Sequence, residues 1–371
     1  MRIEAIELTQ IELALKASFE TSFGTMDRRR VILVKVLAEG VYGWGEASPL
    51  NDPDYNYESV DTAWLILTQY LIPRVLGRSI ERPGDAIALY NGVRGHYFAK
   101  SGLENALWDA FARAQGVPLA RLLGGVRDRI EVGVSIGIQK TPGDLVRVVE
   151  GFVRQGYKRM KIKIKPGRDL GDLRAVRRAF PDVPVMADAN SSYTLRDVPT
   201  FQSLDELNLM MYEQPLGWDD IIDHAQLQAA VRTPVCLDES IHTPDDARKA
   251  IALNACQIIN IKVGRVGGHQ AAKEIHDLML TRQLPVWCGG MFESGVGRAH
   301  NIHLTTLPGY TLPGDTSASD RYYYEDVVDE PAVLNPDGTL CVPTGPGIGV
   351  EVLPDRLKKY GQRTYLARAS S

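Results

Sequence analysis

The sequence predicts an α/β protein, a closed (β/α)8 barrel preceded by a smaller α+β module. Three observations carry this. From about residue 130, eight short apolar stretches alternate with amphipathic ones; the first 115 residues instead place strands before helices; and 371 residues are too many for one small core. Repeated strand–helix units imply parallel strands joined by right-handed crossovers, and eight of them close a ring.

In chain order, residues 1–47 hold three strand candidates, "IEAIELTQIELAL", "RRRVILVKVLAEG" and "VYGWGEAS", with Gly40 as a turn. Between the first two lies "KASFETSFGTMD". Residues 16–26 read as a loop in which Phe19 and Phe23 are candidates to cover a ligand while Gly24 bends. From about 58 to 115 the pattern is helical. In "SGLENALWDAFARAQG" the residues Leu103, Ala106, Leu107, Ala110, Phe111 and Ala114 form one apolar stripe, and Ser101 with Glu104 has capping-box spacing. The barrel strands are "IEVGVSIGI", "YKRMKIKIK", "VPVMADAN", "LNLMMYEQP", "TPVCLDES", "QIINIKVG", "LPVWCGGM" and "TLPGDTS". Beyond about 320 the chain is rich in Pro and Gly and is expected to run back to the first module.

Composition excludes several classes of partner. A net charge of −4 leaves no electrostatic footprint for nucleic acid or an anionic membrane, and no apolar run approaches the roughly 18 residues of a membrane span. The N-terminus "MRIEAIELTQ" does not read as a signal peptide. Cys236, Cys256, Cys288 and Cys341 are scattered without a C-x-x-C pair, which suits reduced core thiols in a cytoplasmic protein.

The chemistry lies in a spacing. Lys163, Asp188, Glu213, Asp238 and Lys262 stand near the C-terminal ends of five consecutive strand candidates, at steps of 25, 25, 25 and 24 residues. Each step is about one strand–helix unit. Parity agrees: Ile162 and Ile164 oppose Lys163, Val235 and Leu237 oppose Asp238, and Ile259, Ile261 and Val263 oppose Lys262. Apolar faces should meet the outer helices, so the charges point into the barrel mouth. Lys161 and Lys165 share the face of Lys163, and spacing does not choose among the three.

The two lysine-bearing strands, second and sixth in a ring of eight, lie opposite each other, with the carboxylates in the arc between. Three carboxylates from neighbouring strands suit a hard divalent cation, Mg²⁺ or Mn²⁺. A cation flanked by two amines suits removal of the α-proton of a carboxylate substrate through an enediolate, with a lysine as base. Gly133, Ser135 and Gly137 give the first strand a small inward face, and "GGMFESG" offers backbone amides and an apolar wall. Competing readings are a structural ion-pair network, a phosphate site at "GRVGG", and a binding protein without catalysis. His300 and His303 in "HNIHL" are expected to be structural.

At these residues the sequence resembles the enolase superfamily across nearly the whole chain. "KIKIKPG", "ADAN", "YEQP", "CLDES", "NIKVGRVGG" and "GGMFESGVGRAHN" look most like its o-succinylbenzoate synthase/N-acylamino acid racemase family. The resemblance implies a modified (β/α)8 barrel at 126–320, with an α+β capping domain built from residues 1–125 and the C-terminal segment 321–371. It implies Lys163 and Lys262 as opposing acid/bases, and Asp188, Glu213 and Asp238 as metal ligands. Substrate contacts would come from Phe19, Phe23, Ser135, Lys161, Asn190, Arg265, Gly290, Met291, Phe292, Asp315 and Ser317. Arg265 resembles the pattern of members that racemise N-acylamino acids, and a guanidinium there is expected to lower the Lys262 pKa. Ser317 stands where dipeptide epimerases carry a second Asp, and Lys262 where mandelate racemase-like members carry a different base. The muconate-lactonising branch shares the lysines and ligands and is the nearest alternative. A small carboxylate substrate and a homo-oligomer are implied as partners.

Overall fold

A computed structural model describes residues 1–370. The chain opens with an antiparallel sheet: β1 (Ile3–Glu20) pairs with β2 (Thr25–Ala38), which pairs with β3 (Val41–Ala47). Glu39 and Gly40 join β2 to β3 with φ of 48° and 80°, the left-handed pair that a two-residue hairpin needs. The stretch expected to be a loop over 16–26 is mostly strand. β1 continues to Glu20, with a register shift between Ala14 and Phe19, so only residues 21–24 form the turn.

The helix Tyr97–Ala114 lies on β3 at unusually close range. A Cβ added to Gly43 would stand 2.2 Å from the Ala106 carbonyl oxygen, and one added to Gly45 equally close to that of Gly102. Backbone approach of this kind requires glycine. Ser101 is not the cap of this helix, which begins four residues earlier. Glu58, from a preceding loop, accepts from the Phe98 and Ala99 amides at 3.0 and 3.3 Å. Glu104 is spent on a different helix, described below.

The first expected barrel strand is broken into β4 (Arg129–Glu131) and β5 (Val134–Ile136). There follow β6 (Met160–Lys163), β7 (Val185–Asp188), β8 (Tyr212–Glu213), β9 (Val235–Leu237), β10 (Ile258–Ile261) and β11 (Val286–Cys288). β5 to β11 form one parallel sheet in sequence order. The eighth expected strand is an irregular stave. Tyr310 bridges Val286 and Gly314 bridges Val132, both in parallel sense, and Pro313 between them has no N–H for a ladder. β12 (Thr339–Cys341) pairs with β4, and β13 (Gly361–Arg368) pairs with β1, so the C-terminal segment completes the N-terminal sheet in the order β13–β1–β2–β3.

The outward faces of the barrel strands are apolar: Ile162, Ala187, Leu237, Ile259 and Ile261 are buried with helix residues such as Leu145, Val149, Leu173 and Val176 in one cluster. A separate group, Met186, Met211, Cys236, Ile258 and Trp287, fills the barrel interior. Burying apolar area on both sides of the wall is the main stabilising term here. Cys236, Cys256 and Cys288 are buried free thiols, whereas Cys341 is exposed on β12. Among the described residues no helix is long and apolar enough to cross a membrane.

Candidate active site

The strand register brings the charges together. Lys163, Asp188 and Glu213 are direct neighbours across β6, β7 and β8. Asp238 and Lys262 each follow the last residue of their strand, β9 and β10. All five side chains are buried. Gly289, at the end of β11, leaves room for one of them, since a Cβ there would lie 2.7 Å from Lys262 Cε. Four non-glycine residues around the strand ends hold positive φ: Asn190 at 41°, Ser191 at 63°, Gln214 at 38° and Phe292 at 56°. Such strain persists where surrounding contacts impose it. Gln214 shows how: its Oε1 accepts from the Asp238 amide at 2.9 Å, tying the end of β8 to that of β9.

The three lysines of "KIKIK" have different partners, and this separates their roles. Lys161 Nζ lies 3.1 Å from Asp188, 3.1 Å from Glu213 and 2.5 Å from Asp315. Burial alone would lower its pKa, but the three carboxylates outweigh burial and hold it well above the ordinary lysine value. Lys163 Nζ donates to Asp188 at 2.6 Å and to Asn190 Oδ1 at 2.5 Å. Burial, with the Lys161 charge adding to it, outweighs Asp188 and lowers this amine. Lys165 is partly exposed and pairs with Glu20 on β1 at 3.2 Å. Only Lys163 combines burial with a depressed pKa.

Across the mouth, Lys262 Nζ donates to Asp238 Oδ2 at 2.9 Å and to the Tyr55 hydroxyl at 3.1 Å. Burial would lower this amine, but Tyr55, Glu239 and Glu213 together raise it. The net lowering expected from Arg265 does not occur, and Arg265 is not among the main influences on this amine. The Arg265 guanidinium is fully buried, ion-paired to Asp238 Oδ1, and donates to the Ile241 and Asn260 carbonyls at 2.7 and 2.5 Å. Its charge is spent on Asp238, and it does not line the cavity. Ser317 also stands behind the wall, its hydroxyl donating to the Gly133 carbonyl at 3.2 Å. Neither residue is placed to touch a ligand, contrary to expectation.

The cavity holds about 550 Å³ of atom-free space, part of it open to solvent. Lys161, Lys163, Asn190, Lys262, Ser135 and Asp315 form its polar side. Phe19, Phe23, Met291, Phe292 and the Gly290 backbone form the rest of the expected wall. The Phe19 ring meets Phe292 edge-on at 4.9 Å, and Ser22 at the hairpin tip donates to the Asn190 carbonyl at 3.3 Å. Phe19, Phe23 and Phe292 also line an outer chamber of about 930 Å³, so they form the neck between the two.

Asp188, Glu213 and Asp238 fit a hard divalent cation by the chemistry of the donor set. Glu213 Oε2 supports the fit: it is buried without a hydrogen bond although Lys161 lies near it. Burial and the neighbouring Asp188 charge raise the Glu213 carboxyl above its ordinary pKa, a strain that a cation between the two would relieve. In the arrangement seen, amines neutralise these carboxylates. Among the described residues, no three carboxylate, histidine or cysteine groups converge on one point.

The phosphate reading loses its basis. The amides after "GRVGG" already hold an anion of the chain itself, because Glu104 accepts from His269 N at 2.7 Å and Gln270 N at 3.0 Å. At the end of "GGMFESG" and just past it, the amides of Ser294 and Gly297 donate to Glu46 and that of Gly295 to Asp326, so these three are not free for a ligand. His300 and His303 are structural, accepted by the carbonyls of Trp44 and Ile348 at 2.8 and 3.0 Å. Residues not anticipated are Tyr55, Asn260 on Glu213, and Arg159, paired with Asp315 at 2.8 Å.

Fold and site together define a capped α/β barrel built for acid–base chemistry. The family description "Mandelate racemase / muconate lactonizing enzyme, N-terminal domain" matches residues 5–124, and "Enolase C-terminal domain-like" matches residues 144–356. The chain is 51% identical to the o-succinylbenzoate synthase of Geobacillus kaustophilus over 363 residues, 98% of this chain and 96% of that protein. It is 48% identical to the N-succinylamino acid racemase of Thermus thermophilus, over 95% of each. A solved member of the enolase superfamily from Listeria innocua superposes with a TM-score of 0.96 at 40% identity, covering 99% of both chains. The chain belongs to the enolase superfamily.

Proposed function

We propose that this chain moves the α-proton of a carboxylate substrate, acting as an o-succinylbenzoate synthase, an N-acylamino acid racemase, or both. The observation that carries the reading is a pair of buried lysines, from β6 and the end of β10, whose amines line one cavity beside three carboxylates on the intervening strand ends. Relatives named for each activity, at 51% and 48% identity, support both halves. A muconate cycloisomerase from Acinetobacter lwoffii is 26% identical, which makes that branch the weaker alternative.

Asp188, Glu213 and Asp238 would hold a divalent cation, Mg²⁺ or Mn²⁺, whose charge would favour the electron-rich carboxylate left after proton loss. Lys163 accepts the α-proton through Nζ. Lys262, on the far side, returns a proton to the opposite face in racemisation, and in the reverse direction the two exchange roles. In dehydration Lys163 passes its proton to the departing hydroxyl while the Lys262 ammonium stays charged. Lys161, pinned by three carboxylates, stays an ammonium throughout and faces the substrate carboxylate. The Phe19–Phe292 neck excludes water, which strengthens each of these charges. Buried free thiols support a cytoplasmic setting, and the family resemblance supports a homo-oligomer.

The test is turnover of an N-succinylamino acid and of the cyclohexadiene carboxylate precursor of o-succinylbenzoate, before and after exhaustive chelation. Turnover of at least one, lost on chelation and restored by Mg²⁺ or Mn²⁺, is expected. Turnover of neither, or activity indifferent to chelation, would overturn the reading.

A further inference from the structure

The inward face of β6 carries a third cation below its two buried lysines. Arg159 immediately precedes the strand, and Arg159, Lys161 and Lys163 share one face, with Met160 and Ile162 on the other. Arg159 is 1% exposed and has no part in the chemistry proposed above. Its guanidinium carbon lies 4.8 Å from the centroid of the Trp287 ring, and Lys161 Nζ lies 5.0 Å from the same centroid. Nε and Nη2 donate to the Pro313 carbonyl at 3.3 and 2.9 Å, so the side chain crosses the broken first strand to reach the eighth stave. Gly133, between β4 and β5, clears that path. A Cβ there would stand 2.8 Å from Arg159 Nε and 2.7 Å from its carbonyl oxygen.

Asp315 joins this arginine to Lys161. Its Oδ1 lies 2.8 Å from Arg159 Nη1, and its Oδ2 lies 2.5 Å from Lys161 Nζ. Each oxygen serves one cation. Burial would raise this carboxyl, but Arg159 and then Lys161 outweigh burial and hold it at about 2. The other carboxylates beside Lys161, Asp188 and Glu213, belong to the set that would hold the divalent cation. Asp315 is the partner left to fix the amine at the base of the cavity. Alone, its carboxylate would be free to turn both oxygens toward Lys161 and draw the amine down from the mouth. Arg159 occupies Oδ1 and leaves only Oδ2.

We propose that Arg159 is a positioning residue that orients Asp315 and, through it, holds the Lys161 ammonium where the substrate carboxylate lies. The role of Lys161 rests on the reaction proposed above; the place of its amine does not.

The test joins a crystal structure of Arg159→Met to the kinetics of that variant with Mg²⁺ present. The substitution keeps an apolar stem over Trp287 and removes the charge. Asp315 is expected to turn and Lys161 Nζ to move by about 1 Å or more, with a loss of about tenfold or more in kcat/KM. Arg159→Lys returns a charge to Asp315 and should recover part of that loss. In an Asp315→Asn background the methionine change should cost nothing further, because the group it acts through is gone. Losses that multiply in the double variant would contradict the proposal. An arginine that serves folding alone predicts a lower melting temperature, an unmoved Lys161 and unchanged kcat/KM per folded site, which would overturn it. If the methionine variant does not fold, Arg159→Lys decides, and an unmoved Lys161 with a loss below about twofold refutes the role. If wild type has no turnover, the proposed reaction fails instead, and the crystallographic position of Lys161 still decides this inference.

Discussion

Tyr55→Phe probes the contact through which the capping domain reaches the chemistry. The phenol is buried, donates to Asp238 Oδ1 at 3.0 Å and accepts from Lys262 Nζ at 3.1 Å. Its ring also lies under that amine, 4.4 Å from the centroid, and phenylalanine keeps this face. Each charged partner retains another bond, Lys262 to Asp238 Oδ2 and Asp238 to Arg265, so neither group is orphaned. The loss should therefore sit near the low end for hydrogen bonds to charged groups, about 2 kcal/mol, or roughly thirtyfold in kcat/KM. The assay is racemisation or dehydration kinetics beside a thermal melt. A loss below about threefold with an unchanged melting temperature would refute the idea that this hydroxyl positions Lys262.

The hairpin tip at residues 21–24 should gain protection from hydrogen exchange when product binds, because Phe19 and Phe23 form the neck; unchanged exchange would make it ordinary surface chain. Glu104→Ala removes the acceptor of the His269 and Gln270 amides and of the Trp108 indole N–H, and should lower the unfolding free energy at neutral pH by about 3 kcal/mol in a denaturant titration. Burial pushes the Glu104 carboxyl up to about 7, so the folded state holds its proton longer than the unfolded chain does. Wild-type stability from this group falls as pH rises from the ordinary carboxylate range to about 7, and the gap to the variant should narrow across that window; a widening gap contradicts the assignment.

Periodic features were legible in the sequence, and contacts between distant segments were not. The 25-residue step and the parity of Lys163, Asp188, Glu213, Asp238 and Lys262 require only strand geometry, and the structure seats all five at one mouth. Choosing Lys163 over Lys161 needed partners from β7, β8 and the eighth stave, which share no local pattern with "KIKIK". Ser101 and Glu104 show the opposite failure: their spacing is locally correct, but Glu58 takes the helix start and a barrel helix takes Glu104. Arg265 misled because its number said which residue it followed, not that its charge would be consumed by Asp238. Tyr55 lies in the aperiodic run "DPDYNYES", where nothing marks a side chain that crosses to the barrel. The eighth strand was overread because Pro313 denies it a ladder that its apolar pattern alone does not exclude.

The central claim, two opposed lysines acting on one α-carbon, is tested most directly by deuterium exchange into each enantiomer of an N-succinylamino acid in D₂O. Wild type should incorporate deuterium at the α-position from both. Lys163→Ala should lose exchange from one enantiomer first, and Lys262→Ala from the other. Undiminished exchange of both enantiomers in both variants would contradict the claim.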